Sequence, residues 1–201
     1  MIEKRERIAR SAADLFATQG YDATTTQEIA DRADVSIGTV FRYAASKAEL
    51  LLMVYNAAFA EGVRRGLGDA ARPGEAGERV LAMIAPILEL SRATRDVALY
   101  QRELMFGPAD EQYRGEGLAI VADLEDGIAA VLAEQGGTVE QARDAASSVF
   151  AVLHLAIVRR EAAIGAASAP DLASQVRQIV AGHRRATITE EAGTTRGGGR
   201  E

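Results

Sequence analysis

This chain of 201 residues contains no cysteine and only two histidines. Without cysteine it can form neither a disulfide nor a thiolate metal site, and a reducing compartment suits it. No H-x-x-x-H, H-E-x-x-H, G-x-S-x-G, G-x-G-x-x-G or P-loop pattern occurs in the sequence. Because no catalytic or metal-ligating groups stand at a workable spacing, we expect no catalytic residues, no metal, no cofactor and no enzyme activity.

Long apolar runs and strand-like alternation are also missing. No run reaches the roughly eighteen apolar residues that span a bilayer, and the start, MIEKRERIARSAADLF, is a charged amphipathic helix rather than a signal peptide. Apolar residues instead recur at spacings of three and four, and the hydrophobic content of 48% is enough for a core. We therefore expect a soluble, cytoplasmic, all-α protein with no membrane partner.

The net charge of −6 is unfavourable for a protein that binds nucleic acid, but it is unevenly distributed. Residues 1–47 contain seven basic and seven acidic side chains, so the whole negative charge belongs to residues 48–201. The bases cluster at Lys4–Arg10 and at Arg42–Lys47, and local patches rather than the total attract phosphate. The first cluster is either a solvated face or a set of phosphate contacts, and the sequence leaves both open.

The stretch from Thr24 to Lys47 carries three helix-start signals in close succession. Each is a hydroxyl residue at an N-cap, and two have a glutamate three residues later, which is the pattern of a capping box. The signals are Thr25 with Glu28, Ser36 after the turn Asp34-Val35, and Ser46 with Glu49. Helices that start this close together need tight corners, and a helix-turn-helix has them.

The second helix of this pair, predicted from Ser36 to about Tyr43, has two faces of different chemistry. Its buried side is apolar and consists of Ile37, Val40, Phe41 and Ala44. The other side carries Ser36, Thr39 and Tyr43, and short polar groups at this end of a helix fit the major groove. Lys47 opposes the dipole of the next helix, which favours a phosphate beside it.

Residues from about Ala9 to Leu51 resemble the DNA-binding domain of the TetR family of transcriptional repressors. The matching pieces, in order, are AADLFATQGYDATTTQEIA, ADVSIGTVFRY and SKAELL. The family usually has an aromatic residue where this chain has Ala44, and often a tyrosine where it has Phe41. The rest of the chain resembles the family in its length and its all-helical pattern.

From these patterns we predict seven DNA-binding residues. Phosphates are assigned to Thr26, Tyr43 and Lys47, base edges to Gln27 or Thr39, and the groove face to Ser36, Thr39 and Tyr43, with Phe41 completing the set. The fourth helix is predicted from Ser46 to about Arg65, followed by a breaker-rich segment that begins at Gly66. We divide the chain into a three-helix DNA-binding domain (1–47), a larger helical ligand-binding and dimerisation domain (48–187) and a disordered tail (188–201).

Two late helices are candidates for self-association. The helix predicted at 138–164, opened by a Thr138–Gln141 capping box, is apolar on more than one side. With the last helix, 171–186, it suits a four-helix bundle with a second copy, although burial in its own domain is the alternative. Resemblance to the family favours the homodimer. Pro86 is expected to kink or end an earlier helix.

A ligand pocket is predicted in residues 75–164, where polar groups interrupt apolar helices. Its candidates are Met83, Ile87, Tyr100, Glu103, Phe106, Phe150 and His154. His154 has an alternative as a core or interface histidine, and Glu103 as a surface ion pair with Arg102 or a neighbour. His183, with two arginines after it near a predicted helix end, is expected to act as a structural cation against the helix dipole, with a ligand role as the alternative.

The combined hypothesis is a homodimeric repressor that binds a palindromic double-stranded DNA operator and is released by a small-molecule effector. The resemblance implies that the effector changes the spacing of two recognition helices, which must match about one turn of DNA, ~34–36 Å, or a multiple of it. Two alternatives remain. One is a helical small-molecule-binding or catalytic protein whose N-terminal bundle is purely structural, and the other is a DNA binder without an effector.

Overall fold

The computed structural model describes residues 2–161 and 171–197. Over these residues the chain forms nine α-helices and no strand, which confirms the predicted all-α class. The helices are α1 (Ile2–Gln19), α2 (Thr26–Arg32), α3 (Ile37–Phe41), α4 (Lys47–Ala70), α5 (Ala76–Ala93), α6 (Val97–Phe106), α7 (Gln112–Ala133), α8 (Val139–Glu161) and α9 (Leu172–Gly197).

The described residues divide into two compact units, and the boundaries fall inside helices. Unit 1 comprises the chain up to Gly62 together with Leu88–Val121, and unit 2 comprises Val63–Ile87 and the residues from Ala122 onward. Unit 1 therefore contains the predicted DNA-binding segment and also the first part of α4, all of α6 and the start of α7. It is larger than the predicted domain of residues 1–47, because hydrogen bonds within unit 1 join that segment to the later helices.

Helix α1 supplies the core against which the short helices of unit 1 pack. Its apolar stripe recurs at spacings of three and four and is buried, as predicted, at Ile8, Ala12, Leu15 and Phe16. The helix ends before Gly20, whose φ of +86° is a conformation that favours glycine. The Gly20 N–H donates to the Phe16 carbonyl at 3.0 Å and closes the helix.

In unit 2, α8 and α9 pack against each other. The predicted capping box at the start of α8 is confirmed: the Thr138 N–H donates to Gln141 Oε1 at 2.9 Å, and the Gln141 N–H donates to Thr138 Oγ1 at 3.1 Å. The buried stripe of α8 runs through Ala142, Ala146, Val149, Leu153 and Ile157. Other apolar side chains of α8, among them Leu155, stay exposed in the single chain.

The position predicted for His183 was wrong. Helix α9 continues to Gly197, where a disordered tail was expected from residue 188, because it contains no proline and Gly182 within it does not end the helix. His183 therefore lies inside the helix rather than near its end. It is buried, and its Nε2 lies 3.1 Å from the Leu132 carbonyl oxygen, so it is a hydrogen-bonded core residue. Residues 198–201, and residues 162–164 of the predicted long helix, lie outside the described residues.

Helices α4 and α5 both continue past a residue at which the sequence suggested an end. Helix α4 passes the predicted end near Arg65 and continues to Ala70. A Cβ on Gly66 would lie only 2.0 Å from the Met83 carbonyl oxygen, so this glycine allows the α5 backbone to approach closely. Pro86 lies inside α5, which continues to Ala93, so the proline does not end the helix.

Candidate nucleic-acid interface

Helix α2 begins with the predicted capping box, which the structure confirms. The Glu28 N–H donates to Thr25 Oγ1 at 3.2 Å, and Glu28 Oε2 accepts from the Thr25 N–H at 2.7 Å. The hydrogen bonds from the Thr25 N–H and hydroxyl lower the pKa of the Glu28 carboxyl. Among the predicted contact residues on this helix, Thr26 is half-buried, and the exposed Gln27 donates from Nε2 to Asp31 Oδ1 at 2.7 Å.

The turn between α2 and α3 is held by Arg7 of α1. Asp34 occupies the left-handed region, with a φ of 50°, and follows Ala33, the C-cap residue of α2. The Arg7 guanidinium donates to the Ala33 carbonyl from Nε at 2.9 Å and from Nη2, and to the Asp34 carbonyl at 2.7 Å. A cation at the C-terminal end of α2 also interacts favourably with the helix dipole. Arg7 thereby fixes the path into α3.

The N-terminus of α3 is capped as predicted. Ser36 Oγ accepts the Thr39 N–H at 3.2 Å, and the two hydroxyls lie 2.9 Å apart. The helix has only five residues and is shorter than the predicted span to Tyr43. Beyond it the Tyr43 N–H donates to the Val40 carbonyl at 2.9 Å, which makes a tighter turn.

The predicted buried face of α3 was partly wrong. Val40 and Ala44 are buried, but Ile37 is 38% exposed and Phe41 is 46% exposed. In a helix this short only about one residue in four faces fully toward the core. Val40 and Ala44, four positions apart, are the residues that do so here. Ile37 and Phe41 therefore lie on the outer side of α3, with Ser36 exposed and Thr39 half-buried.

The start of α4 differs in one detail from the predicted capping box. Ser46 Oγ accepts the Glu49 N–H at 2.9 Å, but the Glu49 carboxylate accepts from the Ala45 N–H, at 2.5 Å, rather than from Ser46. The Ser46 hydroxyl donates to Glu111 Oε1 at 3.0 Å. The corner before α4 is thus joined to the segment that leads into α7.

Lys47 makes contacts within the protein that the sequence did not suggest. Its ammonium donates to the Tyr21 and Thr24 carbonyls, each at 3.0 Å, and lies 4.1 Å from the centroid of the Tyr21 ring. The Tyr21 N–H in turn donates to Asp96 Oδ2 at 2.8 Å, and Asp96 is the N-cap residue of α6. The corner between α1 and α2 is therefore bonded to both α4 and α6.

A second set of contacts in unit 1 surrounds Tyr113, near the start of α7. Its N–H donates to Glu49 Oε1 at 3.3 Å, its carbonyl accepts from Asn56 Nδ2 at 2.7 Å, and its hydroxyl accepts from Arg5 Nε at 3.2 Å. Asn56 Oδ1 accepts from the Tyr100 hydroxyl at 3.0 Å. Helices α4, α6 and α7 share this network, which Arg5 joins from α1, and every member has a partner of complementary polarity.

The predicted ligand-binding residues fall into both units. In unit 1, Tyr100 is buried and stacks on Phe59 with ring centroids 4.9 Å apart, and burial raises the pKa of its hydroxyl. Glu103 pairs with Arg102 at 2.6 Å, the partner named in the alternative above, although its side chain is only 17% exposed, and Phe106 is 83% exposed. These contacts give Tyr100 and Glu103 structural partners.

In unit 2, Met83 and Ile87 are buried in α5. On α8 the Phe150 and His154 rings lie 6.0 Å apart, both half-buried, and burial lowers the pKa of the His154 imidazole. A cleft of about 540 Å³ in this unit is lined by Glu75, Gly77 and Arg177, among others, and by none of the predicted residues. The predicted ligand set stays a prediction.

Sequence reasoning missed the residues that brace the candidate interface, chiefly Arg7, Asn56, Asp96 and Tyr113. Each acts on residues 26 or more positions away, and no local motif marks them. Among the described residues no cluster of histidine, aspartate or glutamate side chains is arranged to hold a metal ion, and no helix there is long and apolar enough to cross a membrane.

Comparison with known proteins supports this site as a nucleic-acid interface. The family profile described as "Bacterial regulatory proteins, tetR family" matches residues 8–54. The HTH-type transcriptional repressor KstR of Rhodococcus jostii is 33% identical over 88 residues, which cover 43% of this chain and 42% of KstR. This chain therefore spans less than half the length of that relative.

Two solved structures extend the likeness to most of the chain. Thermus thermophilus FadR, a TetR-family transcriptional repressor solved with lauroyl-CoA, is 27% identical with a TM-score of 0.57, covering 88% of this chain and 91% of that one. A TetR-family regulator from Streptomyces coelicolor is 19% identical with a TM-score of 0.61, covering 93% and 97%. The second likeness shows the fold alone.

Proposed function

Because this chain belongs to the TetR family of bacterial regulators, we propose that it is a ligand-responsive transcriptional repressor. It acts in the cytoplasm as a homodimer, binds a palindromic DNA operator and is released by a small molecule. The observation that carries this proposal is the helix-turn-helix, in which Arg7 holds the turn and Ser36 caps a helix whose outer side is partly exposed.

The contacts with DNA are divided as the residue chemistry suggests. Thr26, Tyr43 and Lys47 contact phosphates, and Gln27 and Thr39 contact base edges. Two of the three ammonium donors of Lys47 are engaged by carbonyls, which leaves one for a phosphate. The half-buried setting of Lys47 fixes the direction of that third donor.

The first effector to test is an acyl-CoA, because T. thermophilus FadR, at 27% identity, was solved with lauroyl-CoA. Such a ligand releases the operator only by the difference between its affinities for the two states of the protein. Met83, Ile87, Tyr100, Glu103, Phe106, Phe150 and His154 remain the proposed ligand residues. His154→Ala should then reduce effector-induced release while leaving operator affinity without ligand unchanged.

The test begins with a randomised duplex library, from which a specific sequence is selected and its affinity compared with that of a scrambled duplex. Thr39→Ala should reduce the difference in affinity between the selected and the scrambled duplex. Only base contacts, and the contacts that fix their register, discriminate between DNA sequences. Thr39→Ser, which keeps the hydroxyl, is the matched control. If no sequence is enriched, the proposal fails and the N-terminal bundle is structural.

The effector is tested by titrating lauroyl-CoA into the preformed complex with fluorescent operator. Release of the operator, together with a rise in melting temperature of the free protein, supports the proposal. Specific DNA binding without a response to any ligand in a thermal-shift screen would leave the second alternative, a DNA binder without an effector.

A further inference from the structure

We propose that α3 recognises the 5-methyl groups of thymine in the major groove through an apolar patch formed by Ile37, Gly38 and Phe41. The inference rests on the proposed function and names the base feature that this site selects. Thymine is the one base that presents a methyl group in the major groove.

The first support is the exposure of two large apolar side chains on the helix that faces DNA. Ile37 and Phe41 are four positions apart, so they lie one above the other on the same side of α3. They are 38% and 46% exposed, whereas Val40 and Ala44 already fill the core positions. The outer side of α3 therefore carries a partly exposed apolar strip.

The second support is Gly38, which stands between them. It lies within α3 without a positive φ, and a Cβ built there meets no described atom within 4 Å. Neither backbone conformation nor packing requires glycine at this position, and glycine weakens a helix relative to alanine. The missing Cβ lets the backbone of α3 approach a surface outside the protein, as required for contact with base edges.

The third support is the state of the polar groups on the same side. The Ser36 hydroxyl accepts the Thr39 N–H and pairs with the Thr39 hydroxyl at 2.9 Å, so part of their hydrogen-bonding capacity is used within the helix. Phe41 has no hydroxyl with which to bond a phosphate. Apolar contact is therefore the chemistry that the Ile37–Gly38–Phe41 patch offers to a base pair.

The experiment uses the full-length protein and the duplex selected from the randomised library. Each thymine is replaced in turn by deoxyuridine, which removes the 5-methyl group and leaves base pairing intact. Affinity should fall about fourfold for each contacted methyl, the factor that corresponds to burying one methyl group. Phe41→Ala or Ile37→Ala should abolish this response at the thymine each contacts, and Phe41→Leu should retain part of it.

Substitution of Gly38 gives an independent test, because it should raise the melting temperature and weaken DNA binding. Gly38→Ala and the control Gly115→Ala, another helical position with an open Cβ site, should each raise the melting temperature. Gly38→Ala alone should weaken binding to the selected duplex, by tenfold or more if the backbone approaches the bases closely (about tenfold in affinity per 1.4 kcal/mol).

The outcomes separate this inference from the function on which it rests. Failure to enrich any duplex overturns both. Enrichment of a specific duplex whose affinity is unchanged by every deoxyuridine substitution overturns the thymine inference alone. Retention of the full methyl dependence by both Phe41→Ala and Ile37→Ala, or wild-type affinity of Gly38→Ala, would likewise overturn it, because the patch would then not be the element that contacts the methyl groups.

Discussion

The Lys47 ammonium lies 4.1 Å from the centroid of the Tyr21 ring and donates to the Tyr21 carbonyl at 3.0 Å, so one side chain closes the corner between α1 and α2 from the start of α4. Its second bond, to the Thr24 carbonyl, also measures 3.0 Å. A residue expected to bind only phosphate is therefore also part of the framework that positions the helix-turn-helix.

Lys47→Ala should lower the free energy of unfolding by about 1–2 kcal/mol, because it removes two charge-assisted hydrogen bonds and a cation–π contact from a half-buried site. Urea denaturation measures the change. Lys4→Ala, an exposed lysine on α1, is the control and should stay within about 0.5 kcal/mol of the wild type. Equal stability of the two variants would show that the Lys47 contacts contribute nothing.

DNA binding by the same variant separates the structural role from phosphate contact. If Lys47 also contacts a phosphate, the slope of log affinity against log salt should fall by about 0.9 in Lys47→Ala. The loss should be the same for operator and random duplexes, since phosphate carries no sequence information. An unchanged slope with reduced stability would leave Lys47 as a framework residue alone.

Arg7→Ala should destabilise unit 1 by about 1–3 kcal/mol, because the Ala33 and Asp34 carbonyls lose their donor. Arg7→Lys should restore little of this, since an ammonium cannot reproduce the fork of donors that spans both carbonyls. Hydrogen exchange at the α2–α3 turn and operator affinity report the effect. Arg10→Ala, an exposed neighbour on α1, should leave both near wild type, and equal effects at the two positions would contradict the role of Arg7.

Two glycines of α4 should respond in opposite directions to the same substitution. Gly66→Ala places a Cβ 2.0 Å from the Met83 carbonyl oxygen and should destabilise the protein by about 3 kcal/mol or more. Gly68→Ala meets no described atom within 4 Å and should stabilise the helix by about 0.5–1 kcal/mol. Thermal unfolding of the two variants measures both changes in stability. An unchanged stability of Gly66→Ala would mean that α5 shifts away from the new Cβ without loss of free energy.

His154 should make stability depend on pH on the acidic side of its ordinary pKa. Burial lowers the pKa of the folded imidazole, so below about pH 6.5 the unfolded chain binds the proton more readily than the folded chain. The free energy of unfolding should therefore decrease as the pH falls from 7 to 5. His154→Gln should flatten this part of the profile of urea midpoint against pH, and a profile identical to that of the wild type would rule out the effect.

Val152→Glu should disrupt the proposed homodimer. Val152 is half-buried on α8 in the single chain, so a carboxylate there is tolerated in a monomer but becomes an unpaired buried charge if α8 meets a second copy. Light scattering should show a dimer for the wild type and a monomer for the variant, with circular dichroism confirming that both are folded. A monomeric wild type at micromolar concentration would refute the dimer.

The helices and their starts could be predicted from the sequence because both depend on neighbouring residues. The stripe of Ile8, Ala12, Leu15 and Phe16 needs only the 3.6-residue period, and the caps at Thr25, Ser36 and Thr138 need only a hydroxyl near the next turn's N–H. The helix-start signals of the DNA-binding segment and its likeness to the TetR family also depend on residues that are close together in the sequence. Each of these features depends on residues that lie within a few positions of one another.

Other features depended on residues that are far apart in the chain and were decided by tertiary packing. Five residues of α3 are too few to show a helical period. Which of them face inward is therefore decided by packing in unit 1, where Val40 and Ala44 are buried while Ile37 and Phe41 stay partly exposed. Arg7 and Lys47 looked like solvated or phosphate-binding cations because their carbonyl partners lie 23 to 27 residues away. Gly66 looked like a helix breaker, since only the approach of Met83 shows why a side chain is excluded there.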